Sequence, residues 1–125
     1  MQTLQGSCHC GKVRFEIDTD PTYVSQCNCS ICTKKGILHH SVPAARFRLL
    51  SGEEDLREYR FNTGTARHLF CGTCGIHPFT RPRSAPDDYT VNARCVEGFD
   101  LDSETLEWRS FDGRNWEQAM KTYRR

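Results

Sequence analysis

Seven of the eight cysteines in this 125-residue chain fall into three tight clusters. Cys8 and Cys10 lie in S-C-H-C-G, Cys27, Cys29 and Cys32 in Q-C-N-C-S-I-C, and Cys71 and Cys74 in F-C-G-T-C-G. Cysteines one residue apart make poor disulfide partners, because that bond wants Cα atoms about 5.5 Å apart and a defined dihedral. Both sulfurs can, however, point at one small cation. The pair near the start and the pair far downstream together supply four thiolates, which closes one site. C-x-C-x-x-C then has three thiolates of its own. Structural zinc is closed by four protein ligands, while catalytic zinc keeps a position open. Any fold of this chain must therefore bring residues near 9 and near 73 together.

Composition limits the setting. A chain of this length buries roughly two thirds of the surface that it exposes when unfolded, so a metal is not needed merely to rescue a tiny core. The first residues, M-Q-T-L-Q-G-S, show neither a basic nor an apolar leader pattern, and no run of about 18 apolar residues occurs. These features predict a cytoplasmic protein with reduced thiols and no membrane partner. Seventeen basic against sixteen acidic residues give a formal charge of +1. Without a basic field to gather phosphates, no nucleic-acid partner is expected, although Arg81 to Arg83 and Arg124-Arg125 form local basic patches.

Periodicity points to short strands. Val13, Phe15 and Ile17 alternate with Lys12, Arg14 and Glu16, the pattern of a half-buried strand. Comparable runs occur at Tyr23-Val24, Gly36 to Val42, Phe47 to Leu50, Leu56 to Phe61, Arg67 to Phe70 and Tyr89 to Cys95. Turn signals separate them, including Asp20-Pro21, Ser51-Gly52 and Asn62-Thr63-Gly64. The expectation is a mainly β, largely antiparallel single domain over residues 1–125. One helical pattern stands out at the C-terminus, where Trp116, Ala119, Met120 and Tyr123 share a face and Asn115 could cap the start.

The order C-x-C-G, C-x-C-x-x-C, C-x-x-C-G-I-H-P-F and N-A-R-C-V resembles the glutathione-dependent formaldehyde-activating enzyme family, which includes centromere protein V-like proteins. The likeness runs from Gly6 to Trp116. It implies a β-tent fold stapled by two zinc ions, a structural one on Cys8, Cys10, Cys71 and Cys74 and a catalytic one on Cys27, Cys29 and Cys32. It also implies condensation of glutathione with formaldehyde to S-(hydroxymethyl)glutathione, the reverse of which makes the enzyme a carbon-sulfur lyase. The chemistry suits such a site. Metal coordination lowers the pKa of an incoming thiol from about 8.5, and thiolate attack on an aldehyde gives a hemithioacetal. The expected partners are thus glutathione or another small thiol and a small aldehyde.

Other readings stand beside this one. Cys95 could close the middle cluster, making both sites structural and the chain a non-catalytic zinc-binding interaction module. Its alternation with Val91 and Ala93 favours a core thiol instead. A C-x-x-C oxidoreductase on Cys71 and Cys74 is disfavoured, since Cys8 and Cys10 then lack a partner. His77 reads as packing or as a hydrogen-bonding support for the site, and His9, His39, His40 and His68 as structural or exposed. Lys34, Lys35, Arg81, Arg83 and Arg94 are candidates to grip the carboxylates of glutathione, and sequence does not choose among them. Phe15, Phe61, Phe70, Phe79, Trp108 and Trp116 read as core, and Asp112-Gly113 as an ordinary turn. The sequence carries no signal for oligomeric state.

Overall fold

The computed structural model describes residues 1–123, and the Arg124-Arg125 patch lies outside the described residues. Among the described residues ten strands form two sheets. The smaller has the order β1 (Gln2–Ser7), β2 (Arg14–Thr19) and β5 (Phe47–Ser51). The larger runs β10 (Glu107–Phe111), β3 (Tyr23–Cys27), β4 (His39–Val42), β9 (Tyr89–Asn92), β8 (Phe79–Arg81), β7 (Arg67–Cys71) and β6 (Leu56–Tyr59). The mainly β expectation holds. Among the described residues every strand pair is antiparallel save one, β10 beside β3, which runs parallel with Phe111 in register with Cys27. That exception places the end of the chain against the middle cysteine cluster.

Alternation explains how the sheets meet. Phe15 and Ile17 of β2 are fully buried while Arg14 and Glu16 face outward, where Arg48 of β5 binds Glu16 and Asp18 at 2.8 Å each. The inward rings of the small sheet meet those of the large one. Phe15 stacks on Phe47 at 5.5 Å, Phe47 lies on Tyr89 at 3.8 Å, and Phe79 meets Phe47 edge-on at 4.9 Å. Val24, Val42, Leu69 and Val91 complete this buried cluster. A buried aromatic or aliphatic side chain of this kind contributes about 1.5–3 kcal/mol by leaving water.

The large sheet has a second face with a different character. Ser25, His39, Ser41, His68, Thr80 and Thr90 alternate with the apolar inward residues and point away from the small sheet. Ser41 pairs with Thr90, Thr90 with Thr80, and Thr80 with His68, so these residues form a polar row across four strands. His68, Thr80 and Thr90 are only 7%, 5% and 7% exposed. The row is therefore covered, not solvated.

Several local expectations are corrected. The segment after Cys29, which carried no helical signal, forms a short helix, α1 (Ser30–Lys35), that ends at Gly36. The strand expected from Gly36 begins only at His39, and the one expected to reach Cys95 gives way to a 3-10 turn at Ala93–Cys95. The C-terminal helix is present as α2 (Trp116–Met120), but Asn115 does not cap it. Its side-chain amide donates instead to Asp112 Oδ2 at 3.0 Å. No helix of the described residues is long and apolar enough to cross a membrane.

Candidate functional site

Two groups of cysteine sulfurs converge among the described residues, each within 4.8 Å throughout. The first joins Cys8 and Cys10, in the connection from β1 to β2, to Cys71 and Cys74, at the end of β7 and in the connection to β8. One hairpin belongs to the small sheet and the other to the large sheet, so the cluster sits where the two are tied. The backbone is shaped for this. Gly75, at φ +80°, donates to the Cys71 carbonyl at 2.8 Å, and Val13 N–H donates to Cys8 Sγ at 3.4 Å. Glycine reaches that left-handed conformation without the usual steric cost. The sulfurs of Cys8 and Cys10 are 3.6 Å apart and those of Cys10 and Cys71 3.7 Å. Four sulfurs tetrahedrally placed at the usual zinc distance of about 2.3 Å would be about 3.8 Å apart. The cluster fits such an ion, and all eight cysteines are free of disulfides.

The second group is Cys27 at the end of β3, Cys29 before α1, and Cys32 on that helix. A helical turn returns Cys32 toward Cys29, which is how three sulfurs from six residues come to face one point. Without a cation the thiols compete for charge. Hydrogen bonds from Cys27 and then Cys32 hold the Cys29 thiol far below its ordinary value, while Cys27 and Cys29 push Cys32 up. A divalent ion would remove that competition by charging all three.

Residues 111–114 clasp this cluster. Asn28, between two of the cysteines, donates to Asp112 Oδ1 at 2.8 Å and accepts from Arg114 N–H at 3.0 Å, and its carbonyl accepts from Arg114 Nε at 2.6 Å. A Cβ on Gly113 would lie 2.5 Å from Cys27 Sγ and 2.9 Å from Cys29 Cβ. The Asp112-Gly113 turn is thus no ordinary turn, because only glycine lets the chain approach the sulfurs so closely.

Cys27, Cys29 and Cys32 line a cavity of about 210 Å³ whose floor is the polar row of the large sheet and whose walls include Phe61, Phe111 and Trp116. Phe61 and Trp116, read from sequence as core, are therefore cavity walls. Trp108 is 50% exposed, and of that set Phe15 and Phe79 are the deeply buried pair. Cys95 does not join the middle cluster. Its thiol points to the His77 carbonyl at 3.8 Å, and burial, with the nearby Cys8 and Cys74, pushes its pKa up to about 11.

The histidines have different surroundings. His40 is a core residue, 1% exposed, bonded to Thr19 Oγ1 at 2.7 Å and to the Tyr23 carbonyl at 3.0 Å. His9 is exposed. His39 Nε2 lies 3.2 Å from Cys32 Sγ, and burial holds its pKa down to about 4, so it is neutral there and can donate one N–H to the sulfur. His77 forms part of a chain of bonds. Its Nδ1 lies 3.0 Å from Lys35 Nζ and its Nε2 2.6 Å from Thr80 Oγ1. An ammonium only donates, so Nδ1 accepts, Nε2 carries the proton, and Thr80 receives it while keeping its own hydroxyl hydrogen free. Burial and then the Lys35 charge hold the His77 pKa down to about 2.

The fold and site together define a two-sheet β protein with a four-cysteine and a three-cysteine cluster, each able to hold a metal ion. The model of the glutathione-dependent formaldehyde-activating enzyme family matches residues 3–109, and the chain belongs to that family. A Halomonas elongata protein provisionally named a glutathione-dependent formaldehyde-activating enzyme is 53% identical over 32 residues, which are 25% of this chain and 20% of that relative. A crystal structure of a Rhodobacter sphaeroides protein superposes with a TM-score of 0.75 at 36% identity, covering 83% of this chain and 98% of that one. The family match stops at residue 109, short of Trp116, so the clasp at 111–114 lies beyond it.

Proposed function

We propose that this chain is a zinc-dependent carbon-sulfur lyase that joins glutathione to formaldehyde as S-(hydroxymethyl)glutathione and catalyses the reverse cleavage. One observation carries the reading: among the described residues, three converging thiols with no fourth ligand in their group open on a cavity, whereas the other cluster has four. Cys8, Cys10, Cys71 and Cys74 would hold a structural zinc, and Cys27, Cys29 and Cys32 a second with one position left for substrate. Zinc bound there supplies Lewis acidity that lowers a thiol pKa, so that the nucleophile is a thiolate near neutral pH.

The chain's own residues do the remainder. His39 donates its N–H toward Cys32 without adding charge, and the clasp through Asn28 and Gly113 fixes Cys27 and Cys29. Phe61, Phe111 and Trp116 give the cavity apolar walls. As the sulfur attacks, a carbon-sulfur bond forms, the carbonyl π bond breaks, and its oxygen gains charge. Thr80, whose oxygen accepts from His77, donates a hydrogen bond to that oxygen through its own hydroxyl. Preorganised donors of this kind stabilise charge where it develops. The oxygen then takes a proton from solvent, matching the one that the thiol released on ionising, and becomes the hemithioacetal hydroxyl while Thr80 keeps its own proton.

A closed, non-catalytic site is the second reading, and His39, not Cys95, would be its fourth ligand because of its 3.2 Å approach to Cys32. Cobalt exchanged into the labile site separates the two. Glutathione should alter the sulfur-to-cobalt charge-transfer absorption, and Cys29→Ser should abolish the change. A spectrum unmoved by saturating glutathione would establish the closed site.

A further inference from the structure

The cavity beside the three cysteines contains no Asp, Glu or Lys among the described residues that line it. Its floor is Ser, Thr and His, and its one permanently charged side chain is Arg83. The guanidinium carbon of Arg83 lies 3.7 Å from the ring centroid of Trp116. Among the described residues Arg83 has no hydrogen-bond acceptor and no carboxylate partner. Arg81, two residues earlier, is the contrast. Its donors are spent on the Asp87 and Asp88 carbonyls and the Tyr89 hydroxyl.

A guanidinium whose carbon sits 3.7 Å from an indole centroid makes its ring contact through its face and leaves its N–H donors, which lie in its own plane, for a carboxylate that takes two parallel bonds. Stacking also fixes the long side chain before a ligand arrives, which lowers the ordering cost of binding. A half-buried cation without an acceptor is otherwise unfavourable, and a bound anion would relieve it. The remaining basic candidates are elsewhere. Lys35 is engaged by His77, and Lys34 and Arg94 do not line this cavity.

We propose that Arg83, held by Trp116, is the carboxylate-binding subsite of the cavity, so that the site selects thiols bearing a carboxylate over neutral or cationic thiols of similar size. This deepens the proposed function and rests on a thiol binding at Cys27, Cys29 and Cys32. It also answers an electrostatic difficulty. Three cysteinates around a divalent ion sum to one negative charge, which repels an anionic thiolate, and Arg83 offsets it.

The test compares glutathione, its diester and S-methylglutathione on the zinc-loaded protein, in the natural chain and in Arg83→Met, with binding read by calorimetry and by tryptophan fluorescence. Glutathione should bind about tenfold or more tightly than the diester, as expected for a charge-assisted bidentate pair. Arg83→Met should collapse that ratio toward one while leaving diester affinity unchanged. S-methylglutathione, which keeps the carboxylates without the thiol, should perturb the fluorescence only when Arg83 is present. Arg83→Gln serves if the methionine variant does not fold, with the same expectation. An acid-to-ester ratio untouched by Arg83 removal, in protein that binds glutathione, would overturn the subsite and leave the thiol site standing. Failure of every thiol to bind would overturn both.

Discussion

Gly113→Ala should loosen one metal and spare the other. The added methyl would sit 2.5 Å from Cys27 Sγ, whereas unstrained contacts between such atoms need roughly 3.5–4.0 Å. About 1 Å or more must be recovered by moving the sulfur or the turn. The backbone conformation at Gly113 is open to any L residue, so the strain is purely a matter of space. The turn cannot recoil freely, because Asn28 grips Asp112 and Arg114 with three hydrogen bonds. If the sulfur moves, a shift of about 1 Å far exceeds the roughly 0.2 Å that a metal-ligand distance tolerates. Zinc affinity at the middle cluster should then fall roughly 10–100-fold, as when other supports of metal ligands are lost. If the turn moves instead, overpacking should cost about 1–3 kcal/mol, or about 4 °C in Tm per kcal/mol for a chain of this size. Chelator competition, read as two separate metal losses, together with calorimetry, distinguishes these outcomes. Two zinc ions held as tightly as in the natural chain, with an unchanged Tm, would refute the idea that the turn presses on the thiols.

Three further outcomes follow from the same geometry. Cys74→Ser should compromise soluble expression, because its cluster ties one sheet to the other, whereas Cys29→Ser should leave a folded protein with about one zinc per chain by metal analysis. Thr80→Val should keep thiol binding but lower turnover by roughly a hundredfold, the usual loss of one preorganised donor, so an unchanged rate would remove Thr80 from the reaction. His77 is neutral when folded, and an unfolded histidine has a pKa near 6.5. The unfolded state therefore binds more protons from there down to about 2, and stability present above pH of about 6.5 falls as pH is lowered through that window, by up to about 1.4 kcal/mol per pH unit. NMR should find the His77 ring neutral, with its proton on Nε2, between about pH 7.5 and 5, and titration of that ring near 6.5 would contradict the buried network.

What the sequence disclosed was whatever local spacing or alternation encodes. The grouping of Cys8 and Cys10 with Cys71 and Cys74 followed from counting thiolates, and β2 from the alternation of Phe15 and Ile17. The clasp was not legible because it depends on contacts between residues 28 and 112–114, delivered by a single parallel strand pairing that no local pattern announces. Helix α1 escaped because six residues are too few for a 3.6-residue period to register. The cavity floor was hidden for a subtler reason. Alternate polar positions such as His68, Thr80 and Thr90 look like the wet face of a strand, and only the cover from the loop at Phe61 and the turn at Gly113 makes them a site. For the same reason Arg83 could not be chosen from five basic candidates until Trp116 was found beneath it.

The zinc-loaded cluster of Cys27, Cys29 and Cys32 is proposed to accelerate the joining of glutathione to formaldehyde, a reaction that also proceeds unaided. The direct measurement is NMR exchange spectroscopy at equilibrium between free glutathione and S-(hydroxymethyl)glutathione, which needs no coupled enzyme. Holding both reactants in one cavity and raising the thiolate fraction should speed exchange in proportion to protein, and Cys29→Ser should return it to the buffer rate. Exchange at the buffer rate in a sample carrying both zinc ions would contradict formaldehyde activation by this chain.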